Sequence, residues 1–358
     1  MKRKVRGDGK IKNSLELTLS AIKGIPEKIP FNPYIMHLAA SLSKVDYNHD
    51  YCQKPEVLAN SMIKCSDFFG IAHVNVSTDA YREAHAWGVE IDWSSHTPVA
   101  KTHLKLEDFE TIETPELLEN PRIQNRVKAV KLLDEKVGGK QCIIGWIEAP
   151  FNAIISLFGL VNTLMICRQQ DWVKRLKSLV ERILPVGKEF AKLQIEAGAN
   201  IIGAGDSAVS QIGPMRYENC FLDGTKELVN YIQKDIPVLY HICGDNGVVD
   251  KDGRDMLKIV SSSNADIIDL DYQVDLKIAK EKIGKINCIR GNTNTMIVGS
   301  PLYTSLQVFN EISKTIEIGK EGGMYMYAAG CEWPWEPIEM ASRNLGIAKA
   351  LIEKMGKY

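Results

Sequence analysis

The chain has 358 residues, 45% hydrophobic and 25% charged, with a formal net charge of −1. That composition is globular and carries no basic excess for nucleic acid, and no run of about 18 apolar residues is present to span a membrane. Residues 1–6 are basic but lead into no apolar stretch, so a secretory signal is not expected. The eight cysteines are scattered rather than packed as a disulfide scaffold, which fits reduced thiols and a cytoplasmic protein.

Residues 1–27 read as a helical lead-in, with Asn13 and Ser14 as a cap before an apolar repeat. Eight β-rich segments follow, at residues 28–34, 72–77, 142–148, 200–206, 237–243, 265–271, 286–292 and 323–331. Their near-continuous apolar runs are those of parallel strands buried on both faces. Helical periodicity fills most of the intervals, at residues 55–69, 171–196, 214–234, 302–320 and 337–355. Residues 92–140 are an insertion after the second strand, a polar hairpin followed by a helix over 121–137. Strands alternating with helices predict an α/β fold, a single (β/α)8 TIM barrel over residues 1–358 with an N-terminal helical extension.

In such a barrel the chemistry sits at the C-terminal ends of the strands. Those ends carry Asn32, Asn75, Glu148, Asp206, His241 with Cys243, Asp269 with Asp271, Asn292 and Cys331. His241 and Cys243 are two residues apart, so a strand would point both to one side. One imidazole and two thiolates form a three-ligand set for Zn²⁺, with a fourth position open for chemistry. Cys331 comes from the last strand and can meet the other two only over the barrel mouth. The other reading of these three residues is a place in the core.

These segments resemble the uroporphyrinogen decarboxylase superfamily and, within it, the zinc-dependent corrinoid methyltransferases. The resemblance is carried by Asp206-Ser207-Ala208, Pro214 to Tyr217, His241-Ile242-Cys243-Gly244, Gly291-Asn292-Thr293 and Gly330-Cys331. It implies His241, Cys243 and Cys331 as zinc ligands, a corrinoid carried on a separate partner protein, and a small methylated substrate. It also disfavours the decarboxylase branch, whose N-terminal segment carries carboxylate-binding arginines. Residues 31–41 here contain none.

Two departures bear on the substrate. Residues 145–151 place Glu148 where thiol-methylating relatives have a small residue, and residues 331–337 carry Trp333 and Trp335 beside the last ligand. Together with Trp146 they suggest a flat apolar substrate, a methoxylated aromatic undergoing O-demethylation. The alternatives are methylation of a coenzyme M-like thiol from methylcobamide, a porphyrinogen-type decarboxylase, and a non-catalytic zinc subunit. Glu148 is expected as a movable fourth ligand or proton relay, and Asp206 as the group that orients His241 or binds substrate. Asn32, Asn75, Trp146, Asn292, Trp333 and Trp335 are expected to line the pocket. No nucleic-acid or membrane partner is expected, and a homodimer is compatible with the chain.

Overall fold

The computed structural model describes residues 13–358. Strands β1 (His73–Asn75), β4 (Cys142–Glu148), β5 (Ile201–Asp206), β6 (Val238–Ile242), β7 (Ile267–Leu270), β8 (Cys288–Thr293) and β9 (Tyr325–Ala329) form one parallel sheet in that order. A two-stranded antiparallel hairpin, β2 (Ile91–Asp92) with β3 (Val99–Ala100), stands apart from it within the expected insertion. The helix expected over 121–137 is present as Pro121–Val137, started by Asn120, whose side chain accepts from the backbone of Arg122 and Ile123.

Residues 28–34 do not form the regular strand expected of them. Pro30 and Pro33 have no N–H to give to a ladder, which limits the segment to isolated bridges. Those bridges still close the barrel. Asn32 N–H donates to Tyr327 O and Tyr327 N–H to Pro30 O on the β9 side, while Ala72 N–H donates to Phe31 O on the β1 side. The sheet of seven strands is thereby completed into a TIM barrel.

Helix Ser14–Ile22 is capped by Asn13, and Glu16 completes a capping box. The first twelve residues of the expected lead-in lie outside the described residues. The helix is tied to the N-terminal ends of the strands, through Leu15 N–H to Lys140 O and, just beyond it, Met324 N–H to Gly24 O. Ala21 and Ile22 cover the bottom of the barrel there, packed with the inward-facing Cys142, Ile144, Ile201, Leu239, Ile267, Cys288 and Met326. The larger apolar cluster lies between the sheet and the outer helices. The helix expected over 214–234 is two, Gly213–Cys220 and Leu222–Ile232, parted at Phe221. All eight cysteines are free.

Period two decides which side chains reach the barrel interior. On β4 the inward set is Cys142, Ile144, Trp146 and Glu148, and on β5 it is Ile201, Gly203 and Gly205. The Trp146 indole lies flat across the glycine-lined stretch of β5, and a Cβ at Gly203 would overlap its ring. Gly203→Ala should therefore destabilise the fold by about 1–3 kcal/mol through overpacking. Urea unfolding measures it, and an unchanged midpoint would show that the indole is not held there.

Candidate metal centre

Strand register aligns the site. Glu148 pairs with Gly205, Gly205 with His241, His241 with Asp269, and Asp269 with Arg290. These five residues form one row on the inner wall near the mouth. His241 is buried and its ring faces across the barrel. Cys243 follows one residue after the end of β6 and remains half-buried.

Cys331 reaches the same point because β9 leans across its neighbour. Gly330 N–H donates to Thr293 O, and its α-carbon packs so close to Asp271 and Tyr272 that a Cβ would overlap the Tyr272 backbone nitrogen. A residue with a side chain would push this turn away. The neighbouring Glu332 holds it from the other side, accepting from His37 N–H at 2.7 Å and pairing with His37 Nδ1 at 3.0 Å.

The three ligand-type atoms lie within 4.8 Å of one another. His241 Nε2 is 2.9 Å from Cys243 Sγ, and Cys243 Sγ is 4.0 Å from Cys331 Sγ. The donor set suits Zn²⁺, which takes imidazole nitrogen and thiolate sulfur in a tetrahedron. No fourth His, Cys, Asp or Glu joins this group among the described residues. His241 Nδ1–H donates to Asp269 Oδ2 at 2.7 Å, which turns Nε2 towards the sulfurs. Burial disfavours the imidazolium, but the Asp269 carboxylate, with Cys331 adding to it, outweighs burial and raises the His241 pKa to about 10. The hydrogen bond between the two cysteines lowers the Cys331 pKa and raises that of Cys243. A cation among these atoms would take the place of the shared protons.

The expected roles of several residues change. Asp206 does not orient His241. Its parity on β5 turns it outward, behind the sheet, where it accepts from Tyr240 Oη at 2.8 Å and Asn152 N–H at 2.8 Å. Burial, only partly offset by the Tyr240 hydrogen bond, raises its pKa to about 7. Asp269 holds the histidine instead, and Arg290 in turn holds Asp269. Both residues had the inward parity and could have been assigned from it. Glu148 lies outside the three-ligand group and is held by Arg82 Nη2 and Asn152 Nδ2. Burial raises its pKa to about 8, with Arg82 opposing and Glu83 reinforcing the shift. Arg82, fully buried, gave no signal in the sequence because it lies past the end of β1, in a helix of five residues.

Trp146 is placed beside the centre, stacked on Tyr34 at 5.0 Å between ring centroids and 6.3 Å from the His241 ring. Trp333 is fully buried, and its Nε1–H donates to Ala341 O in the closing helix Ile338–Met355. It packs that helix and does not face the mouth. Trp335 is half-buried and stacks on His37 at 4.2 Å. The Asn292 amide donates to Asp271 O and Val274 O, and Asn75 ties Ile35 O to Ser77 N–H, so both asparagines fix backbone. Asn32 accepts from Arg290 Nε at 2.9 Å below the site.

The family model for uroporphyrinogen decarboxylase (URO-D) matches residues 13–344. The chain belongs to the uroporphyrinogen decarboxylase family. A uroporphyrinogen decarboxylase from a Geobacter species is 24% identical over 261 residues, 70% of this chain and 73% of that one. Another, from Geotalea uraniireducens, is 22% identical over 318 residues, 85% and 88% of the two chains. Among solved structures, a methyltransferase from Methanosarcina mazei superposes with a TM-score of 0.82 at 20% identity, covering 96% of this chain and 98% of that one. A putative vitamin-B12 independent methionine synthase from Listeria monocytogenes gives a TM-score of 0.55 at 10% identity, over 92% and 97% of the chains. At these identities the structural likeness is one of fold.

His241→Ala and Cys331→Ala should each abolish stoichiometric zinc in the purified protein, and Asp269→Asn should weaken zinc binding by roughly 10–100-fold. Metal analysis and chelator competition read both. Full zinc retention in Cys331→Ala would exclude the three-ligand set.

Proposed function

We propose that this protein is a zinc-dependent methyltransferase that moves a methyl group between a small methylated substrate and the cobalt of a corrinoid protein. The observation that carries the reading is the convergence of His241, Cys243 and Cys331 with no fourth acidic, histidine or cysteine side chain in the group among the described residues. A structural zinc site is normally closed by four protein ligands, and a catalytic one keeps a position open. Decarboxylation of a porphyrinogen, the activity in the names of the curated relatives, gives this donor set no task by the same resemblance. Arg82 and Arg290, which do lie within the barrel, are each paired with a carboxylate.

When bound, Zn²⁺ supplies Lewis acidity at the open position, which makes an ether oxygen a better leaving group or a thiol a better nucleophile. The chain's own residues do the rest. His241, Cys243 and Cys331 hold the ion, and Asp269 fixes the tautomer and direction of His241. Gly205 has no side chain, and the Trp146 indole and the Glu148 carboxyl pack over it. A substrate heteroatom at the open metal position would share the inner wall with the Glu148 carboxyl, which lies two strands from His241. Arg82 and Asn152 fix that carboxyl, and at neutral pH its pKa of about 8 keeps a proton available for the departing oxygen. Trp146 and Tyr34 form an apolar wall beside His241 that keeps water out and suits a flat ring.

O-demethylation of a methoxylated aromatic is therefore the preferred direction, now resting on Trp146, Tyr34 and Glu148 rather than on Trp333. Methylation of a coenzyme M-like thiol is the second reading, favoured by the same open position. In either direction the corrinoid arrives on its partner protein at the barrel mouth.

Reduced cobalamin mixed with the zinc-loaded protein and methoxylated aromatics should form methylcobalamin, followed by its absorbance. Glu148→Gln should slow that step by roughly 10²–10⁴-fold while keeping zinc. In the unsubstituted protein the rate should fall as pH rises through about 8, because the donor is the protonated carboxyl. Reaction of thiols with methylcobalamin and none of aryl ethers with cob(I)alamin would reverse the preferred direction.

A further inference from the structure

The hydrogen bond that orients His241 has a second claimant. Asp269 Oδ2 accepts from His241 Nδ1 at 2.7 Å and also from Arg290 Nη1 at 2.5 Å, while Asp269 Oδ1 has no partner. Both donors therefore draw on one oxygen. Arg290 is almost wholly buried and is fixed from its other end, where Nε donates to Asn32 O at 3.0 Å and Asn32 Oδ1 at 2.9 Å. The Tyr34 ring lies 5.8 Å from its guanidinium carbon. Register alone places His241, Asp269 and Arg290 side by side on three successive strands.

We propose that Arg290 is a positioning residue that sets how strongly His241 binds the metal, by sharing the Asp269 oxygen that orients the imidazole. The inference rests on the metal reading above. A carboxylate on the far nitrogen of a ligand histidine makes that histidine a stronger donor. A guanidinium on the same oxygen takes part of that charge back. It also balances the centre. Two thiolates offset a divalent cation, and Arg290 offsets Asp269, so no net charge is buried at rest. Arg290 acts from the far side of the imidazole, through Asp269 on Nδ1, while the ligand nitrogen Nε2 faces the sulfurs. The cation is then held less tightly than an unshared Asp269–His241 pair would hold it, and it retains more acidity for the substrate.

This separates a tuning role from a merely structural one by sign. Arg290→Gln keeps one N–H donor near Asp269 but removes the charge. Zinc affinity, measured by chelator competition on the purified protein, should rise by about tenfold, because a nearby positive charge is lost and His241 becomes the stronger donor. Methyl transfer should fall in the same variant. Arg290→Lys keeps the charge and should stay within about twofold of the parent affinity. With Co²⁺ in place of Zn²⁺, the visible ligand-field bands should shift in Arg290→Gln and not in Arg290→Lys. Affinity that falls or is unchanged in folded Arg290→Gln overturns the proposal, as does an equal rise in Arg290→Lys. Where Arg290→Gln yields no folded protein, Arg290→Lys decides. Retained affinity supports a charge role, and a tenfold loss overturns it. Absence of zinc or cobalt binding in the parent protein would instead defeat the metal reading itself.

Discussion

The register of the barrel is the constraint on which the site depends. Residues 148, 205, 241, 269 and 290 come from five strands, yet ladder pairing sets them in one row on the inner wall. A slip of one residue on β6 would send His241 into the outer helix layer and bring Tyr240 inside. The apolar layer beneath the row, from Cys142 round to Met326, specifies the register by burial. The chemistry of the mouth is thus fixed by packing in the barrel below it. Gly330 adds the one contact that register cannot supply, by letting the chain after β9 pass close over Asp271 and Tyr272.

The row also orders the electrostatics. At one end Glu148 and Glu83 share Arg82, and at the other Arg290 and His241 share Asp269. Asp269 depends on the buried Arg290 for its charge balance, while Glu148, raised to about 8 by burial, holds its proton at neutral pH and accepts from Arg82. Removing one member of such a set leaves an unpaired charge inside, which is costly. Between these ends lies Gly205, over which the Trp146 indole and the Glu148 carboxyl pack. The row thus sets Glu148 and His241 on one inner wall, two strands apart.

Much of this was legible in the sequence. His241 and Cys243 announced themselves by spacing, and alternation of strands and helices gave the barrel that brings Cys331 to them. The proline pair at 30 and 33 was equally readable, and it explains why the closing segment makes bridges and not a strand. Parity would have turned Asp206 outward and Asp269 inward, since Gly203 and Gly205 occupy the inner positions of β5. Arg82 was not legible. Its side chain enters the site from a short helix beyond β1, and no periodic pattern marks it. Trp333 was misleading for a different reason. Its neighbourhood to Cys331 in the chain does not carry into space, because the backbone turns and buries the indole under the closing helix.

The central claim is a zinc ion held by one nitrogen and two sulfurs of this chain, with one position left for substrate. Zinc-edge X-ray absorption fine structure on the metal-loaded protein tests it most directly. The account predicts one nitrogen at about 2.0–2.1 Å, two sulfurs at about 2.3 Å, and one further light ligand that changes when substrate is added. A shell with fewer than two sulfurs, or four protein ligands that substrate leaves unchanged, would contradict it.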